Sequence, residues 1–250
     1  MHLKALGIIL LSMLVCVGLV IGWQTLSRLM FSENPRYAIR TLDISTELCV
    51  TPQRLKELTG IREGVNLHAF SAAKKRRELL RNLPNLRDAR IVKRFPDHVT
   101  IVATDRVPVM KLGSTNFAVD QDGNVLAMEE FQRRRWSNIP VLLEGNRKIQ
   151  MQPGQIVSDK YRTALDIVNA YNAMEGISFK INQIDVSGRI YIILLTSDSR
   201  REIRLVWNEM TSPQNIRLAL KMASETLADP KAAPLIRFDV LLETKLVYGI

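Results

Sequence analysis

From Ala5 to Ser27 the chain carries no charged side chain, and the apolar run from Leu6 to Gly22 is broken only by Ser12 and Cys16. Everything that follows mixes charged and apolar positions. A helix rises about 1.5 Å per residue, so roughly 20 apolar residues cross a hydrocarbon core of about 30 Å. The run therefore predicts a transmembrane helix over 5–27, with Trp23 where an interfacial aromatic belongs, a cytoplasmic tail over 1–4 and a linker over 28–36. A cleaved signal peptide fits less well, because no small-x-small site follows Gly22. A lipoprotein signal is weaker still, since Cys16 lies in mid-run behind Val15. Lys and Arg are sparse on both flanks, so charge alone does not orient the span.

After the linker the periodicity changes. Tyr37 to Ile44 alternates and predicts a strand. Thr51-Pro52 supplies an N-cap and a proline at the first helical position, Leu55 and Leu58 fall one turn apart, and Gly60 stops the helix. Ser71 caps a second helix whose inner stripe is Ala72, Ala73, Leu79, Leu80 and Leu83, ended by Pro84. Ala89, Ile91 and Phe95 then fit one strand, Pro96-Asp97 a turn, and Val99, Ile101 and Ala103 another. Two helices on one face of a three-stranded sheet would bury Leu58, Leu79, Leu83, Ile91 and Ile101 together.

Further on, Phe117 to Leu126 reads as two strands about Gly123. Asp120, Asp122 and Asn124 alternate as calcium ligands would, yet the loop has Val125 where glycine is needed and Phe131 where glutamate is needed, so a hairpin is the better reading. Ser158 caps a helix carrying Tyr161, Leu165, Val168 and Tyr171, closed by Gly176. Ile181 to Val186, Arg189 to Thr196 and Glu202 to Trp207 make a meander around Ser187-Gly188 and Ser197-Asp198-Ser199. Ser212-Pro213 opens another helix, with Ile216, Ala219, Leu220, Met222, Ala223 and Leu227 facing in. Leu235 to Leu242 and Lys245 to Tyr248 are closing strands.

Composition narrows what these elements can do. The 250 residues carry a formal charge of +10, and between Arg36 and Arg106 there are 15 Lys and Arg against 8 Asp and Glu. The cluster of Lys74, Lys75, Arg76, Arg77, Arg81, Arg87, Arg90, Lys93 and Arg94 makes a basic surface that could meet anionic lipid headgroups, nucleic acid or an acidic partner, the bland alternative being a solvated helix face. Aromatics for base stacking are not interleaved with it, Phe70 and Phe95 being spaced as core residues, so no nucleic acid is expected. Two cysteines exclude a disulfide framework, and with three histidines at these separations they build no usual zinc site. No hydrolase, Walker or dinucleotide motif is present. Asp185, Glu202, Glu209 and Asp239 could in principle form an acid/base pair for glycan cleavage, but carboxylates beside strands are far more often solvated. The chain is expected to be no enzyme, with no cofactor and no metal.

Val50-Thr51-Pro52, Gly60-Ile61-x-x-Gly64-x-Asn66-Leu67, Leu83-Pro84, Ala89, Lys93-Arg94-Phe95-Pro96 and Asp105-Arg106-x-Pro108 resemble, in this order and spacing, the POTRA domain of the bacterial division proteins FtsQ and DivIB. Thr51, Pro52, Gly60, Gly64, Asn66 and Pro96 are its structural positions. The resemblance implies an α+β chain: an N-terminal transmembrane helix, a POTRA domain (β-α-α-β-β) over 37–107, and a mainly antiparallel β-domain with packed helices over 108–250. It also implies a single-pass protein of the bacterial inner membrane with its bulk in the periplasm, a non-enzymatic scaffold at the division septum that helps to recruit septal peptidoglycan synthesis. Its implied partners are FtsB/FtsL-like division proteins, with FtsK and septal peptidoglycan synthases in the wider set. An alternative within reach of the same domain is an accessory for outer-membrane protein assembly or transport.

The family's β-domain pairs its last strand with a strand of FtsB, as an unpaired edge permits. That points to Arg237 to Tyr248, with Phe238, Val240, Leu242, Leu246 and Tyr248 as partner contacts. The bland alternative is that alternate members of this set are core. The chain departs from the family here: the usual Asp-Leu-Arg-Tyr appears as Phe238-Asp239-Val240-Leu241-Leu242, so no contact through that arginine carries over.

Overall fold

The computed structural model describes residues 2–27, 30–31, 34–197 and 201–249, with the side chains of 2–12, 26–27 and 246 outside the description. The chain forms two compact units, Met1–Asp105 and Arg106–Ile250. The fold is α+β, and one feature of the expected architecture, the membrane span, is corrected.

Helix α1 runs over His2–Ser27, but among the described residues no helix is long and apolar enough to cross a membrane. The side chains described in α1 cover 13–25 and end on Gln24 and Thr25. The rest of the expected span, 5–12 and 26–27, lies outside the described side chains, as do residues 28, 29, 32 and 33 of the linker.

In the first unit, strand β1 (Thr41–Ser45) is followed by helices α2 (Pro52–Thr59) and α3 (Ala72–Asn82) and by strands β2 (Leu86–Arg94) and β3 (His98–Asp105). The sheet order is β1-β3-β2, with β3 parallel to β1 and antiparallel to β2. Local chemistry sets the helix ends. The Thr51 side chain accepts from Arg54 N at 3.2 Å, Pro52 opens α2, and Gly60 closes it at φ 67, donating its N–H to Lys56 O. That left-handed turn is cheap only for a residue without Cβ. Ser71 caps α3 in the same way. Leu55, Leu67, Leu79, Ile91, Val99 and Ile101 form the core between helices and sheet. Leu58 and Leu83 pack at its margin, while Ala73 faces solvent. Asp105 at the end of β3 ties down the chain before α2, its carboxylate accepting from Leu48 N and Cys49 N at 2.7 Å each.

The second unit is built on one nine-stranded sheet, ordered β12-β11-β10-β9-β8-β7-β4-β5-β6. Its strands are β4 (Pro108–Leu112), β5 (Phe117–Asp120), β6 (Val125–Ala127), β7 (Val141–Leu143), β8 (Ile181–Asp185), β9 (Tyr191–Thr196), β10 (Glu202–Val206), β11 (Arg237–Leu241) and β12 (Leu246–Gly249). The sheet is mixed: β9/β10, β11/β12, β4/β5, β5/β6 and β8/β9 run antiparallel, while β4/β7, β7/β8 and β10/β11 run parallel. Parallel neighbours need crossovers, and the chain supplies them. Helix α6 (Pro213–Ala228) carries it from β10 to β11, and helix α5 (Asp159–Asn172) lies between β7 and β8. A short helix, α4 (Glu130–Arg135), stands between β6 and β7. Alternate residues of the strands, among them Ile184, Ile192, Leu194, Ile203, Leu205 and Val240, meet Leu165, Val168, Ile216 and Leu220 of α5 and α6 in the core.

Candidate functional site

The two edges of the nine-stranded sheet are treated differently. At one end β6 has a second layer of backbone partners. Val125 N donates to Gln155 O, Gly154 N to Val125 O and Val157 N to Gly123 O, each at 2.8 Å, and Asn124 bridges Ile156. That edge is occupied by the chain itself. At the other end β12 pairs with β11 alone, in the register Phe238↔Gly249, Asp239↔Tyr248, Val240↔Val247 and Leu241↔Leu246. Backbone groups alternate in direction along an antiparallel strand, so half of those in β12 face away from the sheet. Among the described residues none of them has a protein partner.

The residues singled out by sequence fall into three environments on these strands. Phe238 and Val240 are fully buried, at 0% exposure. Their side chains belong to the core, and β11 is paired on both sides. Leu242 packs at the core margin, and its N–H donates to Glu209 Oε2 at 2.8 Å. Tyr248 is 53% exposed on the edge strand itself. The side chain of Leu246 lies outside the described residues. Sequence reasoning missed Val247, half-buried at the middle of β12, and Gly249, where a Cβ would come within 2.3 Å of Leu235 Cδ1. The turn leading into β12 is closed by Lys245 N donating to Leu242 O at 3.2 Å, with Lys245 at φ 52.

The motif positions of the first unit do structural work. Asn66 accepts from His68 N through Oδ1 at 2.8 Å and donates through Nδ2 to Phe31 O and Asn34 O. Gly64, at φ 86, donates its N–H to Ile39 O. Pro96 forms the tip of the β2–β3 hairpin behind Phe95. Phe95 corrects an expectation: it is 60% exposed and not core, because it lies one residue past the end of β2. Its ring joins Phe31, Tyr37 and His68 in a surface cluster with centroid spacings of 4.9 to 6.3 Å. The basic helix is partly neutralised, since Lys75 pairs with Glu78 and Arg76 with Asp88. Lys93 is drawn inward, over the ring of Phe70 at 4.2 Å and onto the carbonyls of Leu67 and Phe70, and burial lowers its pKa.

The carboxylates considered for acid/base work are committed elsewhere, and not left to solvent. Asp185 Oδ1 accepts from Gly145 N and Ser187 N. Glu202 accepts from Arg237 Nε at 3.0 Å, Glu209 from Leu242 N, and Asp239 lies 3.8 Å from Arg204 Nε. One surface group resembles a hydrolytic triad: Asp43 Oδ2 and Thr100 Oγ1 both approach His98, at 3.0 and 3.3 Å. Both meet the same nitrogen, Nε2, whereas a relay needs the acid on one ring nitrogen and the hydroxyl on the other. Among the described residues no group of three His, Cys, Asp or Glu side chains could hold a metal ion. No protein-family model matches the chain, and comparison with curated proteins finds no match.

Proposed function

We propose that the chain is a non-enzymatic scaffold that captures an extended partner segment as an added strand beside β12. The observation that carries this reading is the asymmetry of the sheet, which covers the β6 edge with its own backbone and, among the described residues, leaves the outer edge of β12 without a backbone partner. An open edge supplies affinity through main-chain hydrogen bonds, and Tyr248 beside it supplies a side chain for selection. The POTRA-like motif order gives the reading its context. By that resemblance the partner is an FtsB/FtsL-like division protein, and the scaffold acts at the division septum to bring in septal peptidoglycan synthesis, with FtsK in the wider partner set.

Adjacent residues of β12 point their N–H groups in opposite directions, so proline at Val247 and proline at Tyr248 have different consequences. One removes a donor from the open edge; the other removes a bond to β11. The outward change is expected to weaken capture of an FtsB-like segment by roughly tenfold with little change in melting temperature. Undiminished capture by both variants would falsify edge pairing. A fluorescent fusion spread evenly over dividing bacterial cells, with no enrichment at midcell, would remove the division context while leaving the docking edge standing.

A further inference from the structure

Away from β12, the second unit holds a cleft of about 620 Å³ lined by Glu144, Asn146, Arg147, Lys160, Arg189 and Trp207, among others. It sits at the carboxyl ends of the neighbouring parallel strands β7 and β8, which finish at Leu143 and Asp185. Ligands favour that end of parallel strands because the loops leaving them diverge there. The two loops are fastened to each other: Asp185 Oδ1 accepts from Gly145 N at 3.1 Å and from Ser187 N at 2.8 Å. The cleft is therefore bounded by braced backbone.

Its charge is unbalanced. Arg147, Lys160 and Arg189 face it, against the single carboxylate of Glu144. Glu144 is already saturated, with Oε2 accepting from Tyr161 Oη at 2.6 Å and Oε1 meeting Lys160 and Arg147. Those donors, Lys160 first, lower its pKa. The Tyr161 hydroxyl, pushed up to about 12 by burial and by Glu144, stays protonated as a donor. Among the described residues the side chains of Arg189, Asn146 and Ser187 have no partner. A free guanidinium, an amide and a hydroxyl thus share the cleft with the half-buried ring of Trp207.

We propose that this cleft is a binding site for an anionic saccharide. A guanidinium fork takes a carboxylate in two parallel hydrogen bonds. The indole offers an apolar face to the C–H side of a sugar ring, and the amide and hydroxyl answer its hydroxyl groups. A bare inorganic anion would use the cations and leave Trp207 idle. The proposal is independent of edge pairing at β12.

The test is calorimetric titration of the full chain with a short oligogalacturonate, a neutral chito-oligosaccharide and inorganic phosphate. Oligogalacturonate is expected to bind with an affinity that falls as salt rises, and the other two roughly tenfold more weakly. Arg189→Glu and Trp207→Ala should each weaken oligogalacturonate binding by roughly tenfold, with Trp207→Phe, which keeps a ring, close to the parent. Arg189 is exposed, so its change reads the site without disturbing the core. Absence of oligogalacturonate binding, or full affinity in Arg189→Glu, overturns the proposal. So does phosphate binding as tightly as the saccharide. Capture of a strand partner by Arg189→Glu should be unchanged, so the two readings fail separately.

Discussion

The β6 and β12 ends of the second unit's sheet are both short, three and four residues, yet among the described residues only β6 is covered. At β6 the chain turns back through 154–157 and fills the outward backbone positions. At β12 the polypeptide reaches the edge through a four-residue turn and lies against β11 only. An unfilled edge is a liability in a protein that has no use for it, because it templates pairing with other chains. The same fold that covers one edge with its own loop gives the other, among the described residues, no backbone partner beyond β11, and it is on this contrast that the proposed docking role of β12 rests.

The contrast can be broken most severely from beneath. Phe238 is fully buried in β11, the strand that supports β12. Phe238→Ala should cost about 3–5 kcal/mol of folding stability, read by denaturant unfolding. A variant that loses partner capture yet unfolds like the parent would place Phe238 at the docking surface and not in its foundation.

A smaller effect is expected at the covered edge. Gly123, at φ 91, sits in the β5–β6 turn, where a Cβ would lie 3.0 Å from Arg162 Nη1 and 3.1 Å from Val157 Cγ2. Gly123→Ala combines that crowding with a strained backbone and should cost about 1–3 kcal/mol. It should also speed amide exchange at Val125 and Val157, whose N–H groups hold the cover in place. If exchange there is unaltered, the cover does not depend on this turn. The smallest effect belongs to Lys245, a non-glycine residue at φ 52 in the turn before β12. Lys245→Gly relieves the left-handed backbone but loosens the unfolded chain, so thermal melting should show a gain of no more than about 1 kcal/mol.

The local chemistry of this fold was legible in the sequence. Thr51, Ser71 and Ser212 cap helices, and Gly60 and Gly123 occupy turns, because each depends on residues within one turn of chain. The alternation in 237–241 was legible too, but not its sense: Phe238 and Val240 could face a partner or the core until the sheet around them is assembled. Strand direction was hidden for the same reason, since alternation carries no mark of whether the neighbour runs parallel. The polar cleft left no local signal, its Glu144, Lys160, Arg189 and Trp207 being brought together only by the meeting of β7, β8, α5 and the end of β10. In α1 the apolar composition suggested a span, whereas among the described residues no helix is long and apolar enough to cross a membrane.

The hydrogen bond from Leu242 N to Glu209 Oε2 has a consequence for how the C-terminal hairpin opens. It clamps the far end of β11 to the 3₁₀ turn that follows β10, beyond the last paired residue of β11. Opening of β12 can therefore proceed while β11 keeps its place beside β10. The final strand then behaves as a separate low-energy opening unit, able to leave and re-enter the sheet without unravelling the body that carries it.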